Sequence, residues 1–218
     1  MVQFSLWDIF TFLLGAMRWT VLLSLIAFVG GGLVGMGLLL LRFTQLRGAG
    51  NAVAWYVQIF QGTPLLMQLF LVYFGLALVG LDTSPLGSAA ICLTLYASAY
   101  LTEIWRGCVN SVHKGQWEAS SSLALSYTQQ MRHVILPQAA RVAIAPTVGF
   151  LVQIIKGTAL ASVIGFVELT KAGQMISNAT YQPFLAYTFV GLLYFALCYP
   201  LSWWSQRIEN RRLAGTHD

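Results

Sequence analysis

Few side chains in this sequence are suited to chemistry, and those few fall at informative places. Lys156 lies inside a long apolar run, about 14 residues or roughly 21 Å of helix beyond the end of that run at Val142. An ammonium in such surroundings faces a cavity or a counter-ion, because hydrocarbon solvates it poorly. It can receive the carboxylate of a solute, or it can pair with an acidic side chain across an interface; both readings stand at this point. Gln153, Thr158 and Gln58 offer hydrogen bonds from neighbouring apolar stretches and are candidates to line the same polar path. Glu103 and Arg106 stand three residues apart, a spacing that puts them on one helix face as an ion pair. That pair serves either as a local structural clamp or as a relay of motion from the polar segment after it.

Other chemistry is not expected. The sequence contains no GxxxxGK[ST] phosphate loop, so the chain does not hydrolyse nucleotide itself and reads as a non-enzyme with no catalytic residue. Cys92, Cys108 and Cys198 are isolated and read as small packing residues. His113, His133 and His217 are scattered, which suggests no metal site. Glu168 falls just past an apolar run, as a loop or cap residue or, alternatively, a solute ligand.

The elements that position these residues must lie in lipid. Of the chain, 57% is hydrophobic and only 9% charged, against about 25% charged in soluble domains, and the mean hydropathy is +0.70. The net charge of +5 comes from basic residues at the ends of apolar runs. These are flanking charges that set membrane orientation, not a nucleic-acid surface. No basic region opens the chain, and Asp8 and Arg18 precede the first long apolar run, so no cleavable signal peptide is expected.

Runs long enough to cross a bilayer cover residues 19–41, 64–79, 86–104, 142–167 and 184–204. Within the first, Gly31 and Gly35 stand in GxxxG register, which lets a neighbouring helix approach closely. Residues 52–61 read as an interfacial or partly inserted helix, divided from the second crossing by Gly62-Thr63-Pro64. Residues 82–87 form a turn, and residues 168–183 a polar loop. About five crossings put the termini on opposite sides. With the N-terminus outside, Arg42, Arg47, Arg106, Lys114, Arg132, Arg141, Arg207, Arg211 and Arg212 all fall inside, and only Arg18 and Lys171 outside. The positive-inside rule therefore predicts N-out and C-in. Trp203 and Trp204 then sit at the inner interface.

That orientation places the polar segment 107–141 in the cytoplasm. Two short helices are expected there, one over residues 116–125 and one opening at the Ser126/Gln129 capping box and stopping before Pro137. A compact helical knob of this kind fits a groove on a partner. A hairpin lying on the membrane surface with no partner fits the residues equally well.

A series of motifs favours the partner. Glu118-Ala119 followed by Leu136-Pro137 resembles the signature of ABC-importer permeases, with Ser120 where Ala is usual and Ala124 where Gly is usual. Gly62-Thr63-Pro64-Leu65-Leu66 and Gln68-Leu69-Phe70 resemble the polar-amino-acid branch, Gln61 replacing the usual Arg. Tyr100, Glu103, Arg106-Gly107 and His113-Lys114-Gly115-Gln116 follow in order. Lys156, Thr158 and Leu160 come next, with Gly157 and Ala159 departing from the pattern, and then Val167-Glu168-Leu169-Thr170 and Gly173-Gln174.

The resemblance implies an all-α membrane protein of about five transmembrane helices with a cytoplasmic coupling-helix loop, the type I ABC importer permease fold. It implies a single permease domain over residues 1–218, with the coupling loop at about 107–141, in a bacterial inner membrane. By the same resemblance Glu118, Ala119, Ala124, Leu136 and Pro137 meet the ATPase. The partners it implies are two ABC ATPase subunits, which hold ATP and Mg, a second identical or related permease subunit, a periplasmic solute-binding protein and a polar amino acid. This chain would bind no cofactor. An ion-gradient-driven transporter or channel is the alternative, and it would favour acidic intramembrane residues or inverted repeats. A scaffold whose loop recruits a partner without transport is a third.

Overall fold

The computed structural model describes residues 5–44 and 46–214, with side chains through residue 210. His217 and the side chains of Arg211 and Arg212 lie outside the described residues. Among the described residues the chain is helical throughout, with no strand. The helices are α1 (Leu6–Phe43), α2 (Ala49–Gly62), α3 (Leu65–Leu78), α4 (Pro85–Asn110), α5 (Lys114–Ser122), α6 (Tyr127–Gln130), α7 (Leu136–Gly157), α8 (Leu169–Thr180) and α9 (Pro183–Ala214). A π-helical turn, Met131–Ile135, joins α6 to α7, and a 3-10 segment, Thr158–Ile164, follows α7. Four helical stretches are long and apolar enough to cross a membrane, and α2 with α3, bent by 103°, makes a fifth when counted as one span.

The central contact is α1 against α4. Gly31 and Gly35 leave no side chain between the two backbones: a Cβ on Gly31 would lie 2.5 Å from Ala97 Cβ, and one on Gly35 would lie 2.9 Å from the Ser98 carbonyl oxygen. Thr102 uses that proximity: its hydroxyl, bonded to the Ser98 carbonyl of its own helix at 2.7 Å, also reaches the Gly35 carbonyl at 3.1 Å. Leu23, Ala27, Ala97, Leu101, Phe150 and Ile154 surround this seam as the main core.

The break between α2 and α3 has a specific staple. Gln68 folds back so that its Nε2 donates to the Phe60 and Thr63 carbonyls and to Thr63 Oγ1, at 2.8 to 3.0 Å. The sequence expectation that neighbouring groups satisfy carbonyls freed at Pro64 is met here by a side chain of α3 itself. Tyr56 then ties α2 to α4, its hydroxyl hydrogen-bonding the Leu95 carbonyl and Ser98 Oγ.

Three boundaries differ from the sequence reading. Helix α1 begins at Leu6, well before residue 19, because Ser5 and Asp8 form a capping box that starts it early. The helix opened by Ser126 and Gln129 does not stop at Pro137. The π turn widens the ladder immediately before the proline, and Pro137 sits in the first turn of α7, where its missing N–H and its ring are tolerated. Residues 168–183 are not a loop, since they hold α8. Its buried Leu169, Ala172, Gly173 and Ile176 follow helical spacing and pack with α1 and α9.

Glu168 caps α8 and is fully buried. Its carboxylate accepts from the Thr170 and Lys171 backbone N–H groups at 2.9 Å and from the Tyr194 hydroxyl at 2.8 Å, and Thr20 of α1 lies at 3.4 Å. Burial pushes this carboxyl above its ordinary value, against the pull of those donors toward the ionised form. Of the two sequence readings for Glu168, the cap is the one its geometry displays.

Candidate functional site

Two surfaces concentrate the residues singled out by sequence, and one uninterrupted helical stretch, Tyr127–Ile164, connects them. The first is the knob. Helix α5 is started by His113, whose Nδ1 accepts from the Gly115 N–H at 3.0 Å. The turn after it is made by Ala124 in the left-handed region, at φ 55°. Gln130 then stitches the far side of the turn to the near side, donating to the Leu125 carbonyl at 2.8 Å and to Ser121 Oγ at 3.2 Å. Under the knob, Val109, Val112, Met131, Ile135 and Ala139 make a small core, with Phe43, Trp117 and Leu136 packed on it. The knob is thereby fixed to the ends of α1, α4 and α7.

Its outer face is chemically distinct. Glu118, Ala119, Ala124 and Pro137 are exposed, as is Leu123, while Leu136 is half-buried in the small core and Ser120 is buried. The Glu118 side chain has no hydrogen-bond or ion-pair partner among the described residues; its backbone carbonyl accepts from the Ser122 hydroxyl. An exposed acid and an exposed leucine on a rigid base are suited to insertion into a partner's groove.

Ala124 stands where the resembled pattern has Gly, and the turn adopts the glycine-like conformation regardless. For an L-residue this costs about 1 kcal/mol. Replacing Ala124 with Gly is therefore expected to stabilise the chain by about 0.5 kcal/mol, after the extra freedom of unfolded glycine is offset. Thermal unfolding of the purified chain checks it: the midpoint rises by about 1 to 2 °C. An unchanged or lowered midpoint would count against a strained turn.

The second surface lies on α7. Pro146, Gly149, Gln153 and Lys156 are all exposed and recur at helical spacing, so they form one stripe along the helix, beside the buried Ala145, Phe150, Val152, Ile154 and Ile155. A stripe that carries an amide and an ammonium is unsuited to lipid and calls for a cavity or a protein neighbour. Gln58 is exposed on α2, the helix that precedes the break. Immediately after Lys156, Gly157 approaches the first residue of α3, where an added Cβ would meet Leu65 Cδ2 at 3.4 Å. The fold thus brings Lys156 to the level of the break at Thr63 and Pro64. Thr158 lies apart from that stripe. It is fully buried and its hydroxyl donates to the Ile155 carbonyl at 2.7 Å, because the chain tightens into a 3-10 segment there and turns the side chain inward.

Glu103 and Arg106 pair as their spacing predicts, Arg106 donating from Nε and Nη2 to Glu103 Oε2 at 2.8 and 2.6 Å. Arg42 of α1 completes the cluster by donating to Oε1. Sequence reasoning missed Arg42, and no local signal points to a partner so distant in the chain. It also missed Pro146 and Gly149, although their spacing from Gln153 and Lys156 was available as a signal.

A known family shares this arrangement. Residues 46–214 match the family described as "Binding-protein-dependent transport system inner membrane component". The chain belongs to that family. It is therefore a multi-pass inner-membrane transport subunit with the type I ABC importer permease fold. The chain is 35% identical to the probable amino-acid ABC transporter permease protein YckA of Bacillus subtilis (strain 168), covering 87% of this chain and 84% of that one. It is 32% identical to the probable glutamine ABC transporter permease protein GlnM of the same organism, over 94% and 95%. A solved structure described as an amino acid ABC transporter with histidines superposes with a TM-score of 0.88 at 30% identity, covering 92% of this chain and 94% of that chain.

Proposed function

We propose that this subunit translocates a polar amino acid delivered by a periplasmic binding protein, driven by ABC ATPases docked on its knob. The N-terminus lies outside and the C-terminus in the cytoplasm, as the basic residues favour. Residues 1–218 work as one transmembrane unit beside a second, identical or related, copy. ATP and Mg are held by the ATPases, and this chain supplies the path and the lever. The similarity to amino-acid permeases over nearly the whole chain supports the solute class.

One observation carries the mechanism. The helical stretch Tyr127–Ile164 holds the knob at one end and Lys156 toward the other. About 30 Å of helix separates Leu136 from Lys156. When the ATPases close, the knobs move, and α7 transmits that displacement to the polar stripe and to the α2–α3 break beside it. Glu103, bridging Arg42 and Arg106, clamps α1 to α4 so that the surrounding frame stays rigid. Lys156 receives the solute carboxylate, and Gln153 and Gln58 add hydrogen bonds. Nucleotide state and solute access are thereby coupled reciprocally.

Reconstitution in vesicles with the partner ATPase tests this reading. Uptake of a labelled polar amino acid should require ATP and the binding protein; uptake driven by an ion gradient without ATP would overturn it. Replacing Lys156 with Met should lower uptake at least about tenfold, the loss of roughly 1.4 kcal/mol of interaction with the bound carboxylate. ATPase binding and the unfolding midpoint should stay as in the wild type. A fall in the midpoint with uptake retained would instead assign Lys156 to a structural pair.

A further inference from the structure

An apolar groove of about 510 Å³ runs between α1, α4 and α7 on the knob side of the bundle. Met36, Leu40 and Phe43 form one wall, Trp105 the floor, and Ala140 and Ile144 the other wall. The polar groups of the wall are spent on each other, since Trp105 Nε1 donates to Thr147 Oγ1 at 2.9 Å. The polar stripe of α7 lies on another face of that helix, and the groove meets the knob only at its end, where Phe43, Val109, Leu136 and Ala139 belong to both. On α7 the lining extends from Leu136 to Val148, about 18 Å of helix, close to the roughly 15 Å depth of one leaflet's hydrocarbon.

Two cations flank the groove's lining along the chain at its knob end. Arg132 lies one turn before Leu136 on the same helical stretch, and Arg47 lies just beyond Phe43. Both are exposed and neither forms an ion pair among the described residues, whereas Arg42 is held by Glu103. Arg141, next to Ala140, is also exposed, but it lines a neighbouring cleft with Glu209, so the charge argument rests on Arg47 and Arg132. A slot as deep as a leaflet, apolar along its length and followed at one end by two exposed arginines, matches an acyl chain carrying an anionic head group.

We propose that the groove is a binding site for an anionic phospholipid of the cytoplasmic leaflet, its acyl chain along α1 and α7 and its phosphate between Arg47 and Arg132. The choice of leaflet rests on the orientation proposed above; the existence of the site does not. Bound there, the lipid spans α1 and α7 and joins the frame to the lever at the point where the knob attaches.

Trp105 provides the readout. The full chain is reconstituted with its ATPase in bilayers containing phosphatidylglycerol or phosphatidylcholine brominated in the acyl chain, and tryptophan quenching is compared between the wild type and Trp105→Phe. The Trp105-dependent quenching should be about fivefold stronger with the brominated phosphatidylglycerol. Arg47→Gln with Arg132→Gln should reduce it to the phosphatidylcholine level, and Ala143→Phe, which fills the groove, should abolish it for both lipids. Leu40→Phe is a second filling variant at a side chain 54% exposed, where the fold tolerates bulk. Equal quenching by the two lipids, or quenching that survives both filling variants, would overturn the proposal. So would the absence of quenching by either lipid, which would mean that protein covers the groove. Because the lipid is present in both leaflets, a wrong orientation leaves the quenching result intact, and cysteine labelling from either side detects it separately.

Discussion

Replacing Glu118 with Lys is expected to reduce ATP-driven uptake to background while the chain stays folded. The expectation follows from what Glu118 does not do inside the chain. Its side chain is exposed on α5 and has no partner among the described residues, whereas the helix around it is anchored by the His113 cap and the small core beneath Trp117. A change of charge there costs the isolated subunit little, as surface substitutions usually do. If the knob docks as proposed above, the same change puts a cation where Glu118 would present an anion to the ATPase. Leaving a charge unpaired in an interface costs about 2 kcal/mol or more, which is about thirtyfold in affinity. Three measurements separate the outcomes: the unfolding midpoint, the affinity for the ATPase, and uptake. The midpoint should be unchanged, the affinity should fall about thirtyfold, and uptake should fall with it. Full uptake in Glu118→Lys would remove the knob from the coupling path. A collapsed midpoint would show that Glu118 supports the fold instead, and Glu118→Gln, which removes charge without reversing it, then tests docking alone.

The sequence was most legible where chemistry and periodicity are local. The capping box at Ser126, the pair at Glu103 and Arg106, the break at Pro64 and the close-packing glycines were each readable from spacing within a few residues. What escaped depends on distance along the chain. Arg42 reaches Glu103 only because α1 lies against α4, and Thr20 and Tyr194 reach Glu168 only once three helices converge. The reading of residues 168–183 as a loop failed for another reason. Its polar composition masked a narrow apolar stripe, Leu169, Ala172, Gly173 and Ile176, that suffices to bind one helix face. Pro137 misled in the same direction, because a proline rule applied alone ignores the π turn that makes room for it. Thr158 shows the limit of carrying a motif across, since its place in the pattern says nothing about which way a tightened 3-10 segment turns a side chain.

Replacing Gly31 with Val is expected to loosen the frame itself. The ideal Cβ at Gly31 lies 2.5 Å from Ala97 Cβ and 3.1 Å from the Ser98 backbone nitrogen. Neither neighbour is the free end of a flexible side chain, so the conflict cannot be relieved by a rotamer change. Helices α1 and α4 must separate by about 1 Å to restore ordinary contact distances. Separation weakens the Thr102 hydrogen bond to the Gly35 carbonyl one turn away and opens the core around Leu23, Ala27 and Leu101. Overpacking of this kind costs about 1 to 3 kcal/mol, which lowers the unfolding midpoint by about 3 to 10 °C in a chain of this size. Gly37 is the internal control. It lies on the same helix with no atom within 4 Å of an added Cβ, so Gly37→Ala should leave the midpoint unchanged or raise it slightly. The clamp provides a second readout, because separating α1 from α4 also draws Arg42 away from Glu103. In Gly31→Val, removing Glu103 should then cost less stability than it does in the wild type, a coupling that a double-mutant cycle measures. Equal midpoints for Gly31→Val and Gly37→Ala, or additive losses in the cycle, would show that the α1–α4 seam is not where the frame gains its rigidity.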